Sequence, residues 1–271
     1  MAISLLLLIA LSVAVVVLTR VVVRGIELWS AAGGMSAKAK GQFLGYATSL
    51  PELVGTVGTA SHGLLSAGLW NVGASNIINV VLFSAAALYY RRGKAMFRWK
   101  FADEGSFALL ALVVPIFLSR QEAYARSPLT AALLLGFFGV YLFADRKFNP
   151  SPPASMVAQP DDENASKARA LGLIVSGVVG IVLAGTYLGD EATVVVEQIG
   201  VPEWGVGWIL GFITSLPEMT AFFAVFQSGR ALAAGDDTDC QENLDSLTSS
   251  NMSNLGVIYP VGVMVFLYFT S

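Results

Sequence analysis

Two glutamates, Glu52 and Glu218, lie inside apolar stretches, and each closes the same phrase. Residues 41–52 read GQFLGYATSLPE and residues 207–218 read GWILGFITSLPE. A carboxylate at bilayer depth is costly and marks a functional site by default. Pro51 has no N–H, so the carbonyl of Ala47 loses its helical partner, and Pro217 does the same to Ile213. A freed carbonyl in a bilayer needs a partner, which a bound cation can supply. Thr48 and Ser49 precede Glu52 by four and three residues, as Thr214 and Ser215 precede Glu218, so these hydroxyls share a helix face with the carboxylate. Carbonyl, hydroxyl and carboxylate oxygens form an all-oxygen ligand set, suited to Na⁺ or Ca²⁺ and poor for zinc or copper. The plainer reading is a proline kink beside a protonated, structural glutamate. It leaves the repetition of the device unexplained.

A second phrase follows each of the first. Residues 71–79 read NVGASNIIN and residues 246–254 read SLTSSNMSN. Ser75 and Asn79, like Ser250 and Asn254, are four residues apart, and Asn76 and Asn251 follow the serines. Amide and hydroxyl oxygens complete a cation shell without adding charge. The small residues here, Gly73, Ala74 and Ser249, also permit close helix packing. The recurrence of this phrase after the carboxylate motif in both halves favours ligands over packing alone.

The elements that must carry these residues are membrane helices. The 271 residues are 55% hydrophobic and only 13% charged, with a mean hydropathy of +0.67, about half the charge of a soluble domain. Apolar segments of spanning length fall at about 2–23, 41–62, 69–90, 104–119, 127–144, 169–188, 205–228 and 247–269. The first lacks a basic leader and reads as a retained helix rather than a signal peptide. This predicts an all-α integral membrane protein of about eight spans. The halves are 1–145, with about five spans, and 169–271, with about three. A Pro/Ser/Asp/Glu-rich cytoplasmic linker over 146–168 joins them.

With the N-terminus outside, fourteen of the 16 basic residues fall on the inner side, and only Arg120 and Arg126 fall outside. The positive-inside rule therefore predicts a multi-pass protein of the cell membrane with both termini outside. Glu52 then lies in the second span and Glu218 in the seventh. The two copies cross in opposite directions, as in transporters built from inverted-topology repeats with a site near the midplane.

At this point the residues resemble a family. Thr-Ser-Leu-Pro-Glu followed by Ser-Asn-x-x-Asn, present twice, is similar to the alpha repeats of the calcium/cation antiporter superfamily, most of all its sodium/calcium exchanger branch. The resemblance covers spans one to three and six to eight. It implies that Thr48, Ser49, Glu52, Ser75 and Asn79 of the first repeat and Thr214, Ser215, Glu218, Ser250 and Asn254 of the second bind ions, with the carbonyls of Ala47 and Ile213. It also implies alternating access by sliding of the first and sixth helices, with Na⁺ and Ca²⁺ in overlapping positions. Ala47, Ile213, Ala74 and Ser249 stand where the family usually has glycine. The family usually has ten helices, and the last two have no counterpart among the eight segments here. The flank they would cover is expected to meet lipid, another chain or a second copy in a homodimer.

The expected function is secondary active cation antiport, Ca²⁺ against Na⁺, with H⁺-coupled exchange as the alternative. Two ionised glutamates balance one Ca²⁺, and a vacated, doubly charged site is costly. That favours occupied over empty movement, the basis of exchange rather than leak. The expected ligands are the transported Ca²⁺ and Na⁺ or H⁺, with no cofactor. The expected partners are inorganic cations and the bilayer, with no nucleic acid. A different class, a non-transporting sensor or intramembrane hydrolase, fits less well. The spans offer paired glutamates after prolines rather than paired aspartates, an HExxH motif is absent, the single Cys240 excludes an intrachain disulfide, and His62 is the only histidine. His62 reads as an interfacial residue. Asp190, Glu191, Glu197 and Glu203 read as solvated outer charge. Asp236, Asp237, Asp239, Glu242 and Asp245 read as a solvated inner loop. The stretch RRGKAMFRWK (91–100) reads as a topology anchor facing anionic lipid.

Overall fold

The computed structural model describes residues 2–33, 35–96, 98–148, 163–229 and 238–271. The described chain is helical: α1 (Ala2–Gly33), α2 (Ala37–Thr48), α3 (Leu50–Ser61), α4 (Leu65–Tyr89), α5 (Gly93–Met96), α6 (Ala102–Leu118), α7 (Glu122–Ala125), α8 (Pro128–Phe148), α9 (Glu163–Val194), α10 (Glu203–Thr214), α11 (Leu216–Gly229), α12 (Thr238–Ser253) and α13 (Tyr259–Thr270). Six helical stretches among the described residues are long and apolar enough to cross a membrane: Ile3–Gly33, Leu65–Tyr89, Pro128–Lys147, Lys167–Gln198, Glu203–Gln227 and Thr238–Thr270. The protein is thus an all-α, multi-pass membrane protein. The two remaining expected spans are short: α2 and α3 have 12 residues each, and α6 has 17.

The linker expected over 146–168 is helical at both ends, because α8 runs to Phe148 and α9 begins at Glu163. Ala-Ser-Lys-Ala-Arg-Ala consists mostly of good helix formers. Residues 149–162 lie outside the described residues.

The two halves interleave. Helix α2 lies along α12 and α10 lies along α4, while α1 packs against α9. The pairing of α2 with α12 and of α10 with α4 depends on a sequence device not singled out above. The repeated phrase contains Gly-x-x-x-Gly in both copies, Gly41/Gly45 and Gly207/Gly211. A Cβ on Gly45 would collide with Ser249 Oγ, and one on Gly211 would come within 2.8 Å of the Asn71 carbonyl oxygen. Bare glycine backbone therefore lets each helix approach its partner from the other half, the small-residue packing typical of membrane helices.

Two places break the regular helix. In α12–α13 a π-helical turn covers Asn254–Ile258, just before Pro260. Pro260 cannot donate to the carbonyl four residues back, and the wider turn is a known way to absorb that loss. The first copy has Ala85 at the equivalent place, and α4 runs through it without interruption. A second π-turn, Val195–Ile199, ends at Gly200, whose φ of +73° stops the helix.

The acidic run before the last span corrects an expectation. Asp236 and Asp237 lie outside the described residues, as does Arg230. Asp239, Glu242 and Asp245 are not a solvated loop. They lie on α12 and are buried. Burial is tolerated because polar and basic partners meet them: Arg92 Nε lies 2.8 Å from Asp239 Oδ2, Lys40 Nζ lies 2.7 Å from Glu242 Oε1, and Gln241 Nε2 donates to Asp245 Oδ2 at 2.7 Å. Nearby, Lys38 Nζ pairs with Asp145 Oδ1 at 2.6 Å and ties α2 to α8. On the opposite side, His62 Nε2 meets Asp190 Oδ1 at 2.8 Å, joining the end of α3 to α9.

Candidate cation site

The two repeated phrases adopt the same local structure. Each is a helix interrupted at its serine, at Ser49 (φ −83°, ψ −2°) between α2 and α3 and at Ser215 (φ −80°, ψ −3°) between α10 and α11. The next helix restarts with Leu-Pro-Glu, so the proline occupies the first turn, where its missing N–H costs nothing. Glu52 and Glu218 therefore fall in the first turn of α3 and α11. Exposed amides of a helix N-terminus are a favourable setting for a carboxylate.

All ten polar residues expected at the site are at most 2% exposed. Ser75 Oγ donates to Glu52 Oε1 at 2.6 Å, and Ser250 Oγ donates to Glu218 Oε1 at 3.3 Å. Each glutamate is thus held by the serine of its own half. The halves are then tied crosswise: Ser215 Oγ lies 3.0 Å from Ser75 Oγ, and Ser49 Oγ lies 2.9 Å from Ser250 Oγ. The threonines cross over as well, with Thr214 beside the Glu52 carboxyl and Thr48 beside that of Glu218. The two carboxylates are close enough to feel one another.

The asparagines form a second crossed layer. Asn79 Nδ2 donates to Asn251 Oδ1 at 3.2 Å, and Asn254 Nδ2 donates to Asn76 Oδ1 at 2.9 Å. Asn79 and Asn254 each keep a buried carbonyl oxygen, Oδ1, without a donor. Glu52 Oε2 and Glu218 Oε2 are likewise buried without a hydrogen-bond partner. Neither glutamate is paired with a basic side chain among the described residues. Four unserved oxygens, two of them on carboxylates, are an arrangement that a cation would satisfy and that is costly without one. Ala47 is buried beside Thr48, whereas the Ile213 side chain is only half buried.

Three residues absent from the expected ligand list belong to the surroundings. Asn71 Nδ2 donates to the Glu52 carbonyl at 3.0 Å and holds the start of α3. Asn76 and Asn251 exchange bonds across the halves. Their recurrence beside the serines was a visible signal, but their role is to position the helices. Asn71 has Ser246 in the other copy, so no repeat pointed to it.

The family model described as sodium/calcium exchanger protein matches residues 3–145. None of the curated proteins matches this sequence. Among solved structures, the chain is similar to the H⁺/Ca²⁺ exchanger CAX, with a TM-score of 0.69 and 14% identity over 98% of this chain and 68% of that one. It is also similar to the sodium-calcium exchanger NCX_Mj soaked with Na⁺ and Sr²⁺, with a TM-score of 0.57 and 18% identity over 97% of this chain and 82% of that one. A further NCX_Mj structure, soaked with Na⁺ and Ca²⁺, gives 0.54 and 20% over 94% and 80%. At these identities the structural likeness speaks for the fold. The match to the family model covers more than half of the chain, which therefore belongs to the sodium/calcium exchanger protein family.

Proposed function

We propose that the protein exchanges Ca²⁺ for Na⁺ across the cell membrane at a single site formed by Glu52 and Glu218. Membership of the family supports cation exchange in general. The observation that carries the finer reading is the pair of buried carboxylates, each with one oxygen held by serine and one left unserved. Two such carboxylates match the charge of one Ca²⁺, and the surrounding hydroxyl and amide oxygens suit a hard cation. Thr48, Ser49, Ser75 and Asn79, with Thr214, Ser215, Ser250 and Asn254, would complete the shell, together with the carbonyls of Ala47 and Ile213. With the site filled from either half, two inverted repeats over eight spans would expose it to each side in turn, with both termini outside.

Proton-coupled exchange is the second reading. The unserved Oε2 of each glutamate is also where a proton would sit when Ca²⁺ leaves. Purified protein in vesicles loaded with ⁴⁵Ca²⁺ separates the readings. Efflux driven by an inward Na⁺ gradient at constant pH supports Na⁺ coupling, and efflux driven only by a proton gradient supports the second reading. Flux indifferent to both gradients would point to a channel. Glu52→Gln and Glu218→Gln should each abolish driven flux, and unchanged flux in both would refute the site.

A further inference from the structure

The loop between α4 and α6 holds five basic residues within ten positions: Arg91, Arg92, Lys94, Arg98 and Lys100. It lies against the protein. Ala95, Met96 and Phe101 pack into the apolar cluster around Phe83, Phe222 and Phe226. Arg91, Lys94, Arg98 and Trp99 face outward, and Trp99 is 91% exposed. Arg91, at φ +59°, turns the chain as α4 ends. The pair of Arg92 with Asp239 fastens the strap to α12. The result is a basic, amphipathic strap at the level where a membrane-spanning helix ends.

Beneath the strap, an apolar groove of about 650 Å³ runs between α4, α6 and α12. Phe83, Leu88, Leu109, Leu112 and Leu247 form much of its wall, and no carboxylate lines it among the described residues. Arg98 and Trp99 line it on the strap side. Gly93 and Gly105 also line it, and a Cβ on either would meet nothing within 4 Å. An open hydrocarbon slot under a basic rim complements a molecule with an apolar tail and an anionic head.

We propose that this groove binds one anionic phospholipid, with an acyl chain between α4 and α6 and the phosphate at Arg98. Arg91 and Lys94 add attraction at the surface. Leu244 and Leu247 bring the occupant against α12, the helix that carries Ser250.

The test is native mass spectrometry of the full chain released from vesicles with equal phosphatidylglycerol and phosphatidylcholine of the same acyl chains. The wild type should retain one phosphatidylglycerol in several-fold preference to phosphatidylcholine. Arg98→Gln, at an exposed position, should cut that preference about five-fold, the effect of one basic residue near a membrane surface. Gly105→Leu adds a side chain where the groove is open and should lower retention of the bound lipid while leaving the melting temperature near that of the wild type. Equal retention of the two lipids by the wild type would mean ordinary bilayer lipid and overturn the proposal. So would unchanged retention in both variants, or a second copy of the chain that Gly105→Leu displaces in place of lipid.

Discussion

Asn76 and Asn251 make the same hydrogen bond to each other in both directions: Asn76 Nδ2 donates to the Asn251 carbonyl at 3.2 Å, and Asn251 Nδ2 donates to the Asn76 carbonyl at 3.3 Å. Each side chain also accepts from an asparagine of the other half, Asn254 for Asn76 and Asn79 for Asn251. Helices α4 and α12 are thereby held in a fixed relation next to the carboxylates. Removing either side chain leaves a buried carbonyl without its donor, a loss of about 1–3 kcal/mol. Asn76→Ala should cost more than Asn251→Ala, because Asn76 also donates to the Ala111 carbonyl of α6. The double variant should cost less than the sum, since the two share one clamp. Thermal unfolding in detergent measures all three, and simple additivity would argue against the clamp.

Ser75 and Ser250 hold the glutamates without adding charge. Ser75→Ala should lower Ca²⁺ affinity by about tenfold or more, the scale of one hydrogen bond to a charged group. It also severs the tie to Ser215. Ser250→Ala should lower affinity less, because its bond to Glu218 is the longer of the two, 3.3 Å against 2.6 Å. Calorimetric titration of Ca²⁺ gives both values, and equal or reversed losses would show that the static distances misrank the serines.

The glycines can be tested independently of ions. Gly45→Ala and Gly211→Ala each push a methyl group into the opposite half and should destabilise the protein by about 1–3 kcal/mol. Gly136→Ala, where a Cβ meets nothing within 4 Å, should be neutral or mildly stabilising, because alanine is the better helix former. Melting temperatures of the three variants provide the comparison. A Gly45→Ala protein as stable as Gly136→Ala would mean that α2 and α12 are not in close contact.

Pro260 accounts for the π-turn that carries Asn254. Pro260→Ala restores the missing N–H and should let the turn relax to regular helix, rotating Asn254 relative to Ser250. Ca²⁺ affinity should fall while the melting temperature holds or rises. An unchanged affinity would mean that the turn plays no part in placing Asn254.

Lys38 and Asp145 form an almost fully buried pair. Lys38→Met leaves Asp145 without its partner charge and should cost about 3–5 kcal/mol, most of which Asp145→Asn in the same chain should restore. Unfolding measurements on the single and double variants check this, and a mild single variant would mean that Asp145 finds water or another partner.

Much of the candidate site could be read in the sequence because the chain states its chemistry twice. A carboxylate after Ser-Leu-Pro in an apolar run has few explanations, and recurrence of the run with its following Ser-Asn-x-x-Asn removes most of them. Helical and membrane character followed from hydropathy, since a bilayer leaves a backbone little choice. What depended on packing was decided only in three dimensions. The sequence placed Ser75 with Glu52, but that Ser215 meets Ser75 and Ser49 meets Ser250 depends on how the halves interleave, and residues 140 and 201 positions apart carry no local signal of contact. Asp239, Glu242 and Asp245 looked like solvated charge because a sequence window counts charges without their partners. Arg92 and Lys40 reach Asp239 and Glu242 only in the folded protein, and that pairing is what lets a buried helix begin there. The chemistry of the residues was local and therefore legible, whereas the neighbours that make each one affordable come from the tertiary fold.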